Sequence, residues 1–170
     1  LATGLQLGFN APDLLQGLAV FRGTGRRFEV KGTVHGIRVI DDYGHHPTEI
    51  DATLQAARRY SGDGRLIVIF QPHRYSRTAA FAAGFARSLS LADRAIVLEV
   101  YAASEKPIPG VTSQMITDLM SNGEYKPNFI EVTDSVIESA QPGDVIITLG
   151  AGDVSSLAAI IVDGLMRRFP

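Results

Sequence analysis

Five side chains able to move protons or hold ions crowd one short stretch: Asp41, Asp42, Tyr43, His45 and His46. Two carboxylates, a phenol and two imidazoles offer donors, acceptors and charge at one point of the chain. Gly44 lets the backbone turn or approach a ligand closely. Each residue alone has an ordinary explanation, with Asp41 and Asp42 solvating a loop and His46 capping a helix. Their concentration points to a site. A further cluster is Gln71-Pro72-His73-Arg74-Tyr75-Ser76-Arg77-Thr78. Arg74 and Arg77 are three residues apart and point together if a helix has begun there. Ser76 is placed to cap that helix, whose free backbone donors add positive potential. The planar guanidinium fork matches a carboxylate or phosphate. The alternative is a surface arginine pair bonded to nearby acids.

Two more polar stretches follow apolar runs: residues 99–107, and Gly150-Ala151-Gly152-Asp153-Val154. The glycine-bearing one resembles a phosphate-cradling turn, but Asp153 would repel a phosphate. A tight strand-to-helix turn with Asp153 as the cap is preferred. The chain has no Gly-x-x-x-x-Gly-Lys-Ser/Thr loop and no Gly-x-Ser-x-Gly elbow, which excludes those two routes to phosphate and acyl chemistry. His45 and His46 are adjacent, poor spacing for two ligands of one metal. There is no cysteine. No metal site and no catalytic residue proper are assigned.

Elements must bring these stretches together. Arg27-Phe28-Glu29-Val30-Lys31 and Ile37-Arg38-Val39 alternate in polarity and predict a hairpin. Leu66-Ile67-Val68-Ile69-Phe70, Ala95-Ile96-Val97-Leu98 and Val145-Ile146-Ile147-Thr148-Leu149 are continuous apolar runs, the mark of strands buried on both faces. Asn128-Phe129-Ile130-Glu131-Val132 reads as a weaker fourth. Pro47 opens a helix with Ile50, Leu54 and Ala57 on one face, and Gly62 ends it. Further helical patterns carry Phe81, Phe85 and Leu89; Met115, Ile116 and Leu119; Val136, Ile137 and Ala140; and Leu157, Ile161 and Leu165. Strands alternating with helices predict an α/β, three-layer αβα domain. Its sheet should be mostly parallel and six-stranded, with an antiparallel hairpin strand at the start. All four polar stretches then fall on the carboxyl edge of the sheet, where ligands of such folds bind.

The 170 residues suit one domain of ordinary size. Apolar residues at 45% and charged residues at 20% exclude disordered and membrane classes. A net charge of −2 gives no electrostatic case for nucleic acid, and no apolar run is long enough to span a bilayer. Residues 1–22 read as helical ends, one closing near Gly8 and one over residues 13–21 with Asp13 as cap. A boundary is expected at Gly23-Thr24-Gly25, leaving 23–170 as the domain. Because the chain opens at Leu1, it is expected to be part of a longer protein.

These motifs, in this order, resemble the carboxy-terminal domain of the Mur ligases. The matching pieces include Gly23-Thr24-Gly25-Arg26-Arg27-Phe28, Asp41 to Glu49, Gln71 to Thr78, Val100-Tyr101-Ala102-Ala103, Pro107-Ile108-Pro109-Gly110 and Gly150 to Val154. Gln71 to Thr78 is the specific one. The resemblance implies a Rossmann-like domain that works in a cytoplasmic step of bacterial peptidoglycan synthesis. There ATP, with Mg2+, activates UDP-N-acetylmuramate as an acyl phosphate that L-alanine attacks. The N-terminal and central domains of the same chain would be its partners, and residues 1–22 the end of the central one, which holds the phosphate loop and most of the Mg2+ contacts. The isolated piece is expected to be inactive. Carried over by motif, Arg27 would face the ATP phosphates and Asp42 the ribose, while Tyr43, His45, His73, Arg74 and Arg77 would surround the alanine. The alternatives are another amide ligase of this type, acting on a ready-made tripeptide or on folate, and an anion- or nucleotide-binding module without chemistry.

Overall fold

The computed structural model describes residues 1–21 and 23–170. Arg22, just before the boundary expected at Gly23-Thr24-Gly25, lies outside the described residues. Two short helices come first, α1 (Ala2–Gln6) and α2 (Ala11–Val20). Asn10 caps α2, its side chain accepting from the Asp13 N–H at 2.9 Å. Asp13 thus belongs to the first turn and is not the cap.

The remainder is an αβα sandwich around one six-stranded sheet. Strands β1 (Glu29–Val34), β2 (Ile37–Asp42), β3 (Leu66–Phe70), β4 (Arg94–Val97), β5 (Gly123–Tyr125) and β6 (Val145–Leu149) lie in the order β1-β2-β6-β3-β4-β5. β1 and β2 are antiparallel, and every other pairing is parallel. The apolar runs explain the layers through their period of two. Ile40, Val68, Phe70, Val97 and Ile147 face one core, with Ile50, Leu54 and Phe85 of α3 (Pro47–Ser61) and α4 (Tyr75–Leu89). Val39, Ile67, Ile69, Ile96 and Ile146 face the other, with Val132, Val136, Leu157, Ile161 and Leu165 of α6 (Phe129–Ser139) and α7 (Ser155–Arg168).

Two expectations need correction. The stretch Asn128 to Val132 is not a strand but the start of α6. Asn128 accepts from the Ile130 and Glu131 N–H groups at 2.9 and 3.4 Å, and so fixes a helix start. The sheet's outer strand is instead β5, which pairs with β4. The helix around Met115 is a single turn, α5 (Gln114–Thr117).

Candidate functional site

Because β2, β3, β4 and β6 run parallel, the segments that follow them meet on one edge. Four polar residues are buried at these strand ends: Asp41 at 1%, Asp42 at 5%, Gln71 at 5% and Thr148 at 0% exposure. Asp41 and Asp42 are the last two residues of β2 rather than loop residues. Asp41 accepts from the Thr148 hydroxyl at 2.7 Å and from Arg26 Nε at 3.1 Å. The same Arg26 donates from Nη2 to the Gly150 carbonyl. Asp42 accepts from the Phe28 N–H at 2.7 Å, the Gly44 N–H at 2.8 Å and the Thr53 hydroxyl at 3.2 Å. The pair fastens residues 26–28 and the β2–α3 turn to the sheet edge. Buried at the strand end, Asp42 does not solvate a loop.

Outward from this anchor runs a ladder of rings and cations. The Arg26 and Arg27 guanidinium carbons lie 5.0 and 5.5 Å from the Tyr43 ring centre, within cation–π range. The Tyr43 ring meets His45 edge-on at 5.1 Å, and His45 lies 6.0 Å from His73. His73 stacks on Tyr101 at 5.6 Å and 14°. Arg77 Nη1 lies 3.5 Å from His73 Nδ1. The Tyr101 N–H donates to the Pro72 carbonyl, and the Arg74 N–H to the Tyr101 carbonyl, each at 2.8 Å. The β3 and β4 loops are thereby one unit. Four of the expected residues, Tyr43, His45, His73 and Arg77, share this ladder. Arg74 opens α4 beside it in a left-handed conformation, φ 73°. Arg27 is exposed, with Glu49 Oε1 at 4.0 Å.

Electrostatics sort the ladder. Burial, then the charges of Arg77, His45 and Arg74, push His73 below its ordinary pKa, against an opposing pull from Glu105. The shift favours the neutral imidazole. Burial raises Glu49, but the His45 N–H and the charges of His45 and Arg27 outweigh it and hold the carboxyl below the usual range. Among the described residues neither Arg74 nor Arg77 forms a salt bridge with a carboxylate.

Local capping differs from expectation at two places. Ser76 does not cap α4; its N–H and hydroxyl donate to the Glu105 carboxylate at 3.0 and 2.6 Å. The donor end of α4 is therefore occupied from within. Asp153 does not cap α7 through its side chain; the Val154 N–H donates to Gln71 Oε1 at 3.0 Å. The glycines before it serve packing. Gly150 has φ 141°, and a Cβ there would lie 2.6 Å from the Gln71 carbonyl oxygen; one at Gly152 would strike the Gln71 amide. His46 does cap α3, its Nδ1 accepting from the Thr48 N–H at 3.3 Å. It leaves the ladder for Phe81, 4.8 Å away.

Sequence reading placed Gln71, Tyr101 and Glu105 on this edge but gave none of them, nor Arg26 and Thr148, a role in the site. Arg26 adjoins Arg27 and Gln71 adjoins Pro72, but nothing in spacing shows which way either points. Among the described residues, no group of three or more His, Cys, Asp or Glu is placed to hold a metal ion, and no helix is long and apolar enough to cross a membrane.

A family model for the Mur ligase glutamate ligase domain matches residues 26–152. The chain belongs to that family. The chain is 51% identical to a UDP-N-acetylmuramate–L-alanine ligase of Saccharopolyspora erythraea over 99% of its own length and 35% of the relative. It is 48% identical to that of Renibacterium salmoninarum over 96% of its length and 35% of the relative. The crystal structure of the UDP-N-acetylmuramate–alanine ligase of Thermotoga maritima superposes with a TM-score of 0.80 at 30% identity, covering 98% of this chain and 36% of that one. The chain spans about a third of the length of these curated relatives. The match opens at Arg26, the first residue clamped to the sheet edge.

Proposed function

We propose that this domain holds the incoming amino acid in an ATP-dependent ligase that joins L-alanine to UDP-N-acetylmuramate in the cytoplasm of a bacterium, on the route to peptidoglycan. The rest of the ligase is supplied by N-terminal and central domains of the full-length protein. One observation carries the reading: Arg77 and Arg74 stand at the ladder without a carboxylate partner among the described residues. Arginines held in no salt bridge favour an external carboxylate, although the Glu105 charge also acts on Arg74. The identities to alanine ligases over nearly the whole chain point the same way.

The chemistry follows from these parts. ATP transfers its terminal phosphoryl group to the muramate carboxylate. The alanine nitrogen then attacks the acyl carbon, the carbon–oxygen bond to phosphate breaks, and the nitrogen gives up a proton. Such an attack gains most from an oriented nucleophile. Arg77, with Arg74, fixes the alanine carboxylate. His73, His45 and Tyr43 wall the space beside it. Exposed Arg27 suits the ATP phosphates. Asp42 suits the ribose less well, because three protein donors already use its carboxylate. Magnesium would be held mainly by the central domain and the ATP phosphates, so no step is assigned to it in this domain.

The test is steady-state kinetics of the full-length ligase with Arg77→Ala and Arg77→Lys. A charge-assisted contact of about 1.5–3 kcal/mol predicts an alanine kcat/KM lower by roughly ten- to a hundredfold in both, since lysine cannot reproduce the fork. Alaninamide, lacking the carboxylate, should lose much less. Equal losses for alanine and alaninamide, or loss of ATP affinity first, overturn the assignment.

A further inference from the structure

One charge at the start of α4 has no role in that reading. Glu105 lies 29 positions beyond Ser76, between β4 and α5, yet both its carboxylate oxygens are engaged by Ser76. The loop that brings it there is held independently. Its Tyr101 is bonded on both sides to the β3 loop and stacked on His73. The Glu105 N–H donates to the Ala102 carbonyl at 3.0 Å, closing a turn with Ala103 and Ser104 at φ 48° and 71°. With Arg74 at φ 73°, three non-glycine residues in left-handed backbone flank one contact. Such conformations persist only where the surroundings enforce them. The Glu105 carboxylate is a fixed charge, one residue from Arg77 in the first turn of α4 by way of Ser76.

A fixed negative charge beside a seat for a carboxylate acts on which substrates fit. The two arginines outweigh it for the one carboxylate that every amino acid carries. They leave no cation over for a second. We infer that Glu105 is a specificity-determining residue: its carboxylate, held by Ser76 at the start of α4, repels amino acids with an acidic side chain. The inference rests on the ligase reading above. An uncharged side chain does not feel the repulsion, so alanine and other neutral amino acids pass while aspartate and glutamate are rejected.

The experiment compares alanine, asparagine and aspartate in the full-length ligase. Asparagine and aspartate are nearly equal in size and differ in charge. Where their own turnover is too slow, both are followed as inhibitors of alanine addition. Glu105→Gln keeps an oxygen acceptor for Ser76 and removes the charge. It should raise aspartate relative to asparagine about three- to tenfold and leave alanine within about twofold, as expected for like charges separated by several ångströms of partly wet protein. Glu105→Asp, which keeps the charge, should retain the wild-type ratio. In the wild-type enzyme, added salt should narrow the same ratio, a readout that needs no variant. An unchanged ratio in Glu105→Gln and with salt, or equal losses for all three amino acids, makes Glu105 a cap alone and overturns the inference. A wild-type ligase that does not join alanine to UDP-N-acetylmuramate overturns the ligase reading itself, and this inference with it.

Discussion

Asp42 is held by three donors, and its removal leaves all three without an acceptor in a buried place. At about 1–3 kcal/mol for each unsatisfied buried group, and allowing for relaxation, Asp42→Ala should cost the 170-residue chain about 3 kcal/mol. Urea unfolding measures this. A loss below ~0.5 kcal/mol would show that the carboxylate is free for a ligand instead. His73 offers another check. Folding disfavours its charged form, so between its lowered value and the ordinary 6.5 the unfolded chain binds more protons. Its contribution to stability is complete above pH 6.5 and declines as pH falls below it. NMR titration should find His73 below 6.5, and Arg77→Ala should move it upward by removing the largest cause after burial. An unmoved midpoint would place Arg77 away from the ring. The residue types of this edge were legible: acids, imidazoles and arginines at strand ends. Their directions were not. Whether Asp42 faces solvent or the Phe28 N–H depends on a backbone turn with Arg26 at φ 57° and Phe28 at φ 48°, which no periodicity encodes.

At the scale of elements, the buried strands and the long helices were readable because period and composition agree there. Leu66–Phe70 and Val145–Leu149 are buried at every position, as their unbroken apolar runs require. The failure at Asn128 has a physical cause. Phe129, Ile130 and Val132 have the branching and bulk of strand residues. Helix formation there is decided by Asn128, with Glu131 three residues on, a start signal that outweighs propensity. Val132 and Val136 then lie four apart on one buried face. The true sixth strand, Gly123–Tyr125, has no apolar run at all. It is three residues long and half-buried, and Glu124 is tied to Arg94 at 2.7 Å. Only its partner β4 reveals it. Asn128→Ala should therefore destabilise the domain by about 1 kcal/mol, while Asn128→Asp keeps the cap and most of the stability. Thermal unfolding of both variants checks this. Equal stability of all three proteins would mean that α6 is fixed by packing alone.

At the scale of the molecule, the buried core lies downstream of α2. Both hydrophobic clusters are built from residues at or after Val34, with Phe28 packed at the margin of one. Neither α1 nor α2 buries a residue. They touch each other, since a Cβ on Gly4 would lie 2.7 Å from Leu14, but helices of 5 and 10 residues are marginal by themselves in water. Leu7, Phe9, Val20 and Phe21 are between 61% and 73% exposed, apolar side chains that the central domain proposed as their neighbour would cover. The sandwich should thus fold without them. Deleting residues 1–22 should leave the unfolding free energy within about 0.5 kcal/mol of that of the 170-residue chain, the usual range for changes outside a core. In that chain the amides of α1 and α2 should exchange with deuterium in advance of those of β3 and β6, since segments with few buried contacts open at low free energy. Truncation should also lower self-association at high concentration, as exposed apolar side chains such as Leu7, Phe9, Val20 and Phe21 leave with the segment. A loss of more than ~1 kcal/mol on truncation, or protection of α2 equal to that of β6, would show instead that the two helices close over the sandwich and belong to its fold.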